Sequence, residues 1–223
     1  MAQDVLPSLD AGLTHLDSPG PRSTALHRLV VGELRERDGR VYWLDARNVA
    51  ATYALYELAP HRRALDGVRV ARAFTAYQHH TLARRLVSAV DGRTAMVVAP
   101  NVASLYRDDD VPEYERADLY AATATLLGEV GDAYDVPVLV TTDASGAGLP
   151  PAVANDATQL ACDRTRMGLR YAGEAFETQV YVEDGFWQTT IPYWVELFGA
   201  TGTVGPPATA IGAEPATALD AWC

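Results

Sequence analysis

Short apolar runs alternate along this chain with longer segments of helical periodicity, and this alternation is what most constrains its fold. Strands that alternate with helical patterns of about 10–15 residues predict a mostly parallel sheet with helices on both faces. The runs that we assign to strands are residues 13–16, 41–45, 68–73, 94–98 and 137–141. The helical patterns are residues 24–37, 49–58, 76–90 and 113–133. The sequence therefore predicts the α/β class.

The last third of the chain has a different pattern. After a loop rich in Gly, Pro and Ala at residues 143–154, we expect a short helix around residues 156–163. Residues 165–170 and 175–183 then alternate between apolar and polar positions, with residues 171–174 between them. An alternation of period two indicates strands, so these segments predict a C-terminal antiparallel hairpin.

The end of the chain sets the predicted domain boundary. Residues 191–197 could add one more edge strand, and from residue 199 onward the chain is mostly Gly, Ala, Pro and Thr. Such a composition buries too little apolar surface to order a backbone. We therefore predict one domain over residues 1–198 and a disordered tail over residues 199–223.

The charge of the chain limits its partners. All 18 basic side chains are arginine, because the sequence has no lysine, and 29 acidic residues bring the formal net charge to −11. Such acidity disfavours nonspecific binding to nucleic acid, which requires clustered positive charge. The composition is typical of proteins from halophilic archaea, whose salty cytoplasm screens self-repulsion; GC-rich codon usage is the alternative explanation. With no leader-like N-terminus and no membrane-spanning apolar run, we expect a cytoplasmic protein without membrane contact.

The segment between the first predicted strand and the first predicted helix lies where a phosphate-binding loop, G-x-x-x-x-G-K-[ST], would stand. Here Pro21 replaces the glycine before the lysine, and Arg22 replaces the lysine itself. Pro21 has no N–H to offer a phosphate, and Arg22 is bulkier and fork-shaped. Ser23 keeps a hydroxyl that could hold Mg²⁺. We therefore expect a degenerate loop that no longer supports phosphoryl transfer.

Four strings stand in order along most of the chain. They are residues 23–29 (STALHRL), 66–75 (DGVRVARAFT), 104–107 (SLYR) with 135–142 (DVPVLVTT), and 165–170 (TRMGLR). These strings resemble T-Q-L-C-H-Q-L, D-N-V-x-x-A-R-A-F-N, A-L-Y-R with G-V-A-V-V-V-T-N, and T-x-R-L-x-L-R of the RecA/RadA recombinase family. The size of the chain resembles RadB and other archaeal RadA paralogues. The resemblance implies a RecA-like P-loop ATPase core.

The resemblance also indicates which residues of this chain occupy the positions that hydrolyse ATP in the family. The glutamate that orients the attacking water corresponds to Arg47, which has the opposite charge. The aspartate that binds the water shell of the metal corresponds to Ala99, and the glutamine that senses the γ-phosphate corresponds to Asp143. Together with the altered loop, these four losses predict a pseudo-ATPase with no catalytic residue, no cofactor and no metal.

Both loops that face DNA in this family are altered as well. The first, at residues 108–113, reads DDDVPE where the family has a G-R-G element. The second, at residues 143–154, contains no basic residue. Adjacent aspartates repel phosphates, so we do not expect the chain alone to bind DNA. The aspartates could also form a solvated loop that caps the next helix, or a Mg²⁺ site that lacks partner ligands.

A protein-binding surface is the family feature that the sequence keeps best. In RadA-like proteins the A-R-A-F strand and the helix after it form a groove that accepts a phenylalanine and an alanine from a neighbouring protomer or a mediator. The corresponding residues are Ala71, Ala73, Leu82, Leu86 and Ala89. Alternatively, these residues simply pack the helix against the sheet.

The leading functional hypothesis is a catalytically inactive RecA/RadA-like paralogue that serves as a protein-binding accessory factor in homologous recombination or DNA repair, with RadA a candidate partner. The first alternative is a regulator of the same fold that binds ATP without hydrolysing it. The second is an enzyme of another class, for which we identify no nucleophile–base pair.

We interpret His79 and His80 as surface histidines rather than metal ligands.

Overall fold

The computed structural model describes residues 6–20, 23–142, 148–166, 168–174, 177–183 and 186–189, the last two ranges as backbone. All of them belong to one compact unit. The predicted boundary after residue 198, the predicted tail at residues 199–223 and the suggested strand at residues 191–197 lie outside the described residues. Those three expectations stay predictions.

Strands and helices alternate in the described chain as the sequence pattern predicts. The strands are β1 (Gly12–Asp17), β2 (Arg40–Ala46), β3 (Val68–Ala73), β4 (Thr94–Ala99), β5 (Pro137–Thr141), β6 (Thr158–Thr165), β7 (Gly168–Ala172), β8 (Glu177–Glu183) and β9 (Phe186–Thr189). The helices are α1 (Ala25–Glu36), α2 (Thr52–Leu58), α3 (Ala76–Ala89), α4 (Glu113–Tyr134) and α5 (Pro151–Ala154), with single 3-10 turns at Arg62–Leu65 and Ser104–Arg107.

All the described strands join one sheet in the order β3-β2-β4-β5-β1-β6-β7-β8-β9. The pairings from β3 across to β6 are parallel, and those from β6 to β9 are antiparallel. The predicted α/β class, with a mostly parallel sheet and a C-terminal antiparallel hairpin, is therefore confirmed. The RecA-like assignment is a separate inference and stays a prediction.

Two apolar layers hold the helices against the sheet. On one face, Leu29 and Val30 of α1 pack in a cluster with Trp43 of β2. On the other face, Leu86 of α3 and Leu127 of α4 pack in a second cluster with the central strands. All residues of β4 and β5 are buried, as expected for parallel strands covered on both faces. Each fully buried Leu or Val contributes roughly 1.5–3 kcal/mol of transfer free energy.

The helices that follow the neighbouring strands β1 and β5 lie on opposite faces of the sheet. Helix α1, which follows β1, packs on the first face, whereas Val153 of α5, which follows β5, belongs to the cluster on the second face. Adjacent strands whose next helices leave on opposite faces open a crevice at their carboxyl ends. This is where a ligand would bind in such a sheet, and the loop between β1 and α1 starts there.

The prediction of a short helix around residues 156–163 is wrong. Residues Thr158–Thr165 form β6, which pairs in parallel with β1. Along this strand Leu160 and Cys162 are buried while their neighbours are exposed, which is the period of a strand with one covered face. A short helix, α5, lies earlier, inside the expected loop. The predicted hairpin is formed by β7 and β8, but its first strand begins at Gly168, because Thr165 belongs to β6.

Candidate functional site

In the loop that leads from β1 to α1, two backbone amides of the described residues donate to acceptors within the same loop. The amide of Ser23 donates to the carbonyl of Gly20 at 3.0 Å, and the amide of Ala25 donates to the Ser23 hydroxyl at 3.1 Å. A phosphate at a helix N-terminus needs such amides as free donors. Two of them already have acceptors here, while Pro21 and Arg22 lie outside the described residues.

Arg47 follows β2 at the carboxyl edge of the sheet and is bound to the acidic loop. Its guanidinium forms a salt bridge with the carboxylate of Asp108 and donates to the carbonyl of Ser104 at 2.9 Å. An arginine stays protonated in proteins and cannot accept a proton from water. The position that the resemblance assigns to a water-activating glutamate therefore holds a cation that is committed to a protein carboxylate.

Asp45, which the sequence analysis did not single out, organises the same turn. Its carboxylate is buried and accepts hydrogen bonds from the amides of Val49 at 2.7 Å and Ala50 at 3.1 Å. Its other oxygen accepts from Nε of Arg72 at 3.2 Å. These bonds hold Arg47 and the next residue in left-handed conformations, with φ of 66° and 58°. An acidic residue at the end of a buried strand was the signal that could have found it.

The same turn delays the second helix. We expected a helix from residue 49, but α2 begins at Thr52. The amides at positions 49 and 50 donate to the Asp45 carboxylate, and Ala51 has an extended backbone. The helical pattern is present in the sequence, but a buried side chain binds the first amides and keeps those residues outside the helix.

The carboxyl end of β4 has no acidic side chain to approach a metal. Ala99 is fully buried there, and the amide of Asn101 donates to the Thr141 hydroxyl at 2.9 Å. Asp143, the position of the nucleotide-sensing glutamine in the resemblance, lies outside the described residues. Within the part of the chain that the structure describes, no three His, Cys, Asp or Glu side chains are grouped to hold a metal ion.

A polar set that sequence reasoning missed joins His15 inside β1, Gln159 near the start of β6 and Thr142 just after β5. The His15 ring is paired through Nδ1 with Oε1 of Gln159 at 2.9 Å and through Nε2 with the Thr142 hydroxyl at 3.0 Å. Both ring nitrogens are therefore engaged with neutral groups. Among the described residues the hydrogen-bond partners of the His15 ring are neutral, and these bonds link the strands β1 and β6 and the residue after β5.

His79 is buried, which corrects the expectation of a surface residue. It is fully buried on α3, and its Nδ1 bonds the Tyr106 hydroxyl at 2.9 Å; that hydroxyl donates to the Thr123 hydroxyl at 2.8 Å. Burial lowers the pKa of His79 to about 4. Half-buried His80 bonds the same threonine hydroxyl at 2.9 Å. The two histidines lie where α3 packs on α4. The two adjacent histidines in the sequence give no indication of this packing, so the burial of His79 could not be predicted.

An open cleft of about 480 Å³ lies between the edge strand β3 and helix α3. Its lining residues are Arg72, Phe74, Tyr77, Gln78, Thr81, Leu82 and Arg85. Of the five predicted groove residues, Leu82 lines this cleft, Ala71 is half-buried on β3, and Ala89 is exposed at the end of α3. Ala73 and Leu86 are each 3% exposed and pack in the core instead.

The most accessible apolar groups of the cleft are aromatic side chains outside the predicted set. Phe74 is 76% exposed and Tyr77 is 41% exposed. Phe74 is part of the A-R-A-F string itself, so the signal was present in the sequence. An exposed phenylalanine next to a sheet edge is an uncommon use of a large apolar side chain and favours a contact surface.

Comparisons with known proteins assign no family to this chain. Neither the protein-family models nor the curated proteins give a significant match to it. Among the helices that the structure describes, none is long and apolar enough to cross a membrane. What the chain does must therefore be inferred from its own residues and contacts.

Proposed function

We propose that this chain is a RecA-like paralogue without ATPase activity that binds another protein at the cleft between β3 and α3. The observation that carries the proposal is the exposed Phe74 at the open edge of the sheet. Among the described strands β3 is the outermost and pairs only with β2, so no described strand pairs with the backbone groups on its other side. Proteins commonly bind an extended segment at such an edge and seat its side chains in adjacent pockets.

Charge at this edge favours a selective partner. Arg69 and Arg72 are exposed on β3, and Arg85 lines the cleft from α3. Charged side chains on an edge strand oppose indiscriminate edge-to-edge aggregation, because identical edges repel one another. A partner segment with an apolar anchor and acidic neighbours would satisfy both the cleft and the arginines.

Three features of the carboxyl edge support the absence of ATP hydrolysis. Arg47 is bound to Asp108, β4 ends at the buried Ala99, and the amides of Ser23 and Ala25 have internal acceptors. Hydrolysis needs a metal carboxylate, an oriented water and a phosphate cradle at one place. None of these three features supplies one of these components.

The alternative, an ATP-binding regulator that does not hydrolyse, rests on the crevice between β1 and β5 and on the Ser23 hydroxyl beside it. Titration of labelled ATP with Mg²⁺ at molar salt tests this alternative. Saturable binding in the micromolar range that is lost in Ser23→Ala would replace the protein-binding proposal with the regulatory one. No binding up to millimolar ATP would leave the protein-binding proposal in place.

The proposed place in homologous recombination or DNA repair depends on the sequence resemblance to the RecA/RadA family alone. RadA is accordingly the first partner to test, by analytical ultracentrifugation of the two purified proteins at high salt. Phe74→Ala and Leu82→Glu should weaken the complex at least tenfold. The matched control is Tyr53→Ala, an aromatic of α2 that is 72% exposed and does not line the cleft. Equal binding of all three variants would exclude the cleft as the contact surface.

A further inference from the structure

A second pocket, of about 450 Å³, lies near the amino ends of β2 and β3. The end of α1 and the 3-10 turn before β3 form its sides. Arg35, Arg37, Arg63 and His61 line it, and Asp38 is the one acidic residue among its described lining residues. The pocket is therefore basic, although the chain as a whole has 29 acidic and 18 basic residues. A patch with average composition would have the opposite sign.

The arginines of this pocket differ in how they are held. Nε of Arg37 bonds the buried carboxylate of Glu33 at 2.9 Å, and its Nη2 donates to the carbonyl of Leu9 at 3.0 Å. This fixes the guanidinium and leaves Nη1 without a bonded partner among the described residues. The side chains of Arg63 and His61 make no hydrogen bond or ion pair with any described residue. The pocket is therefore lined by one arginine that is held in place, Arg37, and by two side chains, Arg63 and His61, that form no hydrogen bond with the described residues.

The base of the pocket is made of backbone. Gly39 and Gly67 line it, and a Cβ placed on Gly67 would collide with the carbonyl oxygen of Gly39. Gly39 has a φ of 154° and itself lies against the backbone of Arg93. Leu34, on α1, adds an apolar wall. The cavity is thus bounded by rigid backbone on one side and by basic and apolar side chains on the others.

We propose that this pocket binds a phosphorylated small molecule of about mononucleotide size. A phosphate monoester carries nearly two negative charges and three acceptor oxygens, which match Nη1 of Arg37 and the forked guanidinium of Arg63. The wall at Leu34 would contact the apolar part of the ligand. The volume falls within the roughly 300–1,000 Å³ of small-molecule sites. This site is separate from the degenerate loop at Ser23, which lies at the carboxyl edge.

Isothermal titration calorimetry with AMP and, separately, with inorganic phosphate tests this site in wild type, Arg63→Ala and Arg84→Ala. Arg84 is an exposed arginine of α3 outside the pocket and serves as the matched control. We expect single-site binding that weakens about tenfold or more in Arg63→Ala and is unchanged in Arg84→Ala. Tighter binding of AMP than of phosphate would show that the apolar wall contributes.

Two results would overturn the proposal. One is the absence of saturable binding of either probe at low chloride concentration, where screening is weakest. The other is an equal affinity of wild type and Arg63→Ala, which would place any bound anion elsewhere, including the loop at Ser23. Because Arg63 is exposed and bonds no described side chain, its removal should leave the fold intact, and circular dichroism of the variant checks this.

Discussion

The guanidinium of Arg47 and the carboxylate of Asp108 form a salt bridge between positions 61 residues apart in sequence. The bridge links the end of β2 to the acidic loop before α4. Arg47 makes it from a left-handed backbone conformation, which costs a non-glycine residue roughly 1–2 kcal/mol. The acidic loop thus supplies the partner for the guanidinium of Arg47 at the carboxyl edge.

Replacing Arg47 by glutamate should destabilise the chain more than replacing it by glutamine. A carboxylate at this position would face Asp108, whereas glutamine has a similar length and no charge. Because both groups of the present bridge are about a third exposed or more, the difference should be only about 1 kcal/mol at low salt and should shrink in molar salt. Urea unfolding of the two variants at two salt concentrations measures it. Equal unfolding free energies at low salt would contradict the bridge.

The carboxylate of Asp45 should matter far more for stability than that of Asp163. Asp45→Ala leaves the buried amide of Ala50 and the partly buried amide of Val49 without their acceptor and removes the partner of Arg72, so we expect a loss of about 3 kcal/mol or more. Asp163 pairs with Arg170 at 2.8 Å but is 58% exposed, so Asp163→Ala should cost less than about 1 kcal/mol. Chemical denaturation of both variants compares them. Similar losses would show that the buried turn is not held by Asp45.

The sequence pattern predicted the parallel part of the sheet well, because each of these strands is an apolar run between clear turn signals. Residues Pro137–Thr141, for example, form β5 within the predicted bounds, and all are buried. The pattern failed at Thr158–Thr165, where the alternation of Leu160 and Cys162 is short and mixed with Ala and Asp. Pairing with β1, which no local pattern encodes, decided in favour of a strand.

The candidate site was predictable in position but not in its contacts. Because carboxyl ends of parallel strands share one edge, the resemblance placed Arg47 and Ala99 at the same edge of the sheet. The partners of Arg47 and of Asp45 are distant in sequence and follow no periodicity, so they could not be predicted. The burial of His79 likewise depends on how α3 packs against α4.

Two glycines of α4 should respond oppositely to alanine. Gly131 packs against β1, and a Cβ there would lie 2.9 Å from the Cα of Gly12. Overpacking against backbone should cost about 1–3 kcal/mol and outweigh the gain in helix propensity. A Cβ at Gly128 meets nothing closer than Val153 at 4.0 Å, so Gly128→Ala should stabilise the chain by up to about 1 kcal/mol. Thermal unfolding of both variants gives the two signs, and stabilisation by Gly131→Ala would contradict this packing.

Two residues near the cleft between β3 and α3 test whether the effects of substitutions on binding can be separated from effects on folding. Leu86 is 3% exposed in the core, so Leu86→Ala should cost about 2–5 kcal/mol of unfolding free energy. Phe74 is largely exposed, so Phe74→Ala should change stability by less than about 0.5 kcal/mol. Urea denaturation checks both values. A large loss in Phe74→Ala would mean that this side chain supports the fold and that binding tests with this variant are confounded.

His79 should make the chain less stable as the pH falls. Burial holds its pKa at about 4 in the folded state, against 6.5 for an unperturbed histidine. Between these values the unfolded chain binds a proton that the folded chain does not, so stability declines as the pH falls from about 6.5 towards 4. The loss between pH 7.5 and pH 5 should be about 2 kcal/mol from this residue, as measured by urea unfolding at the two pH values.

The variant His79→Phe isolates this contribution. Phenylalanine fills a similar volume, does not titrate and cannot bond Tyr106. At pH 7.5 the variant should therefore be less stable than wild type, because the bond to Tyr106 is lost. On acidification to pH 5, its unfolding free energy should fall by less than that of wild type. Some acid sensitivity should remain, because burial also lowers the pKa of His27. An unchanged loss between pH 7.5 and pH 5 in His79→Phe would show that the buried histidine does not titrate as its surroundings require.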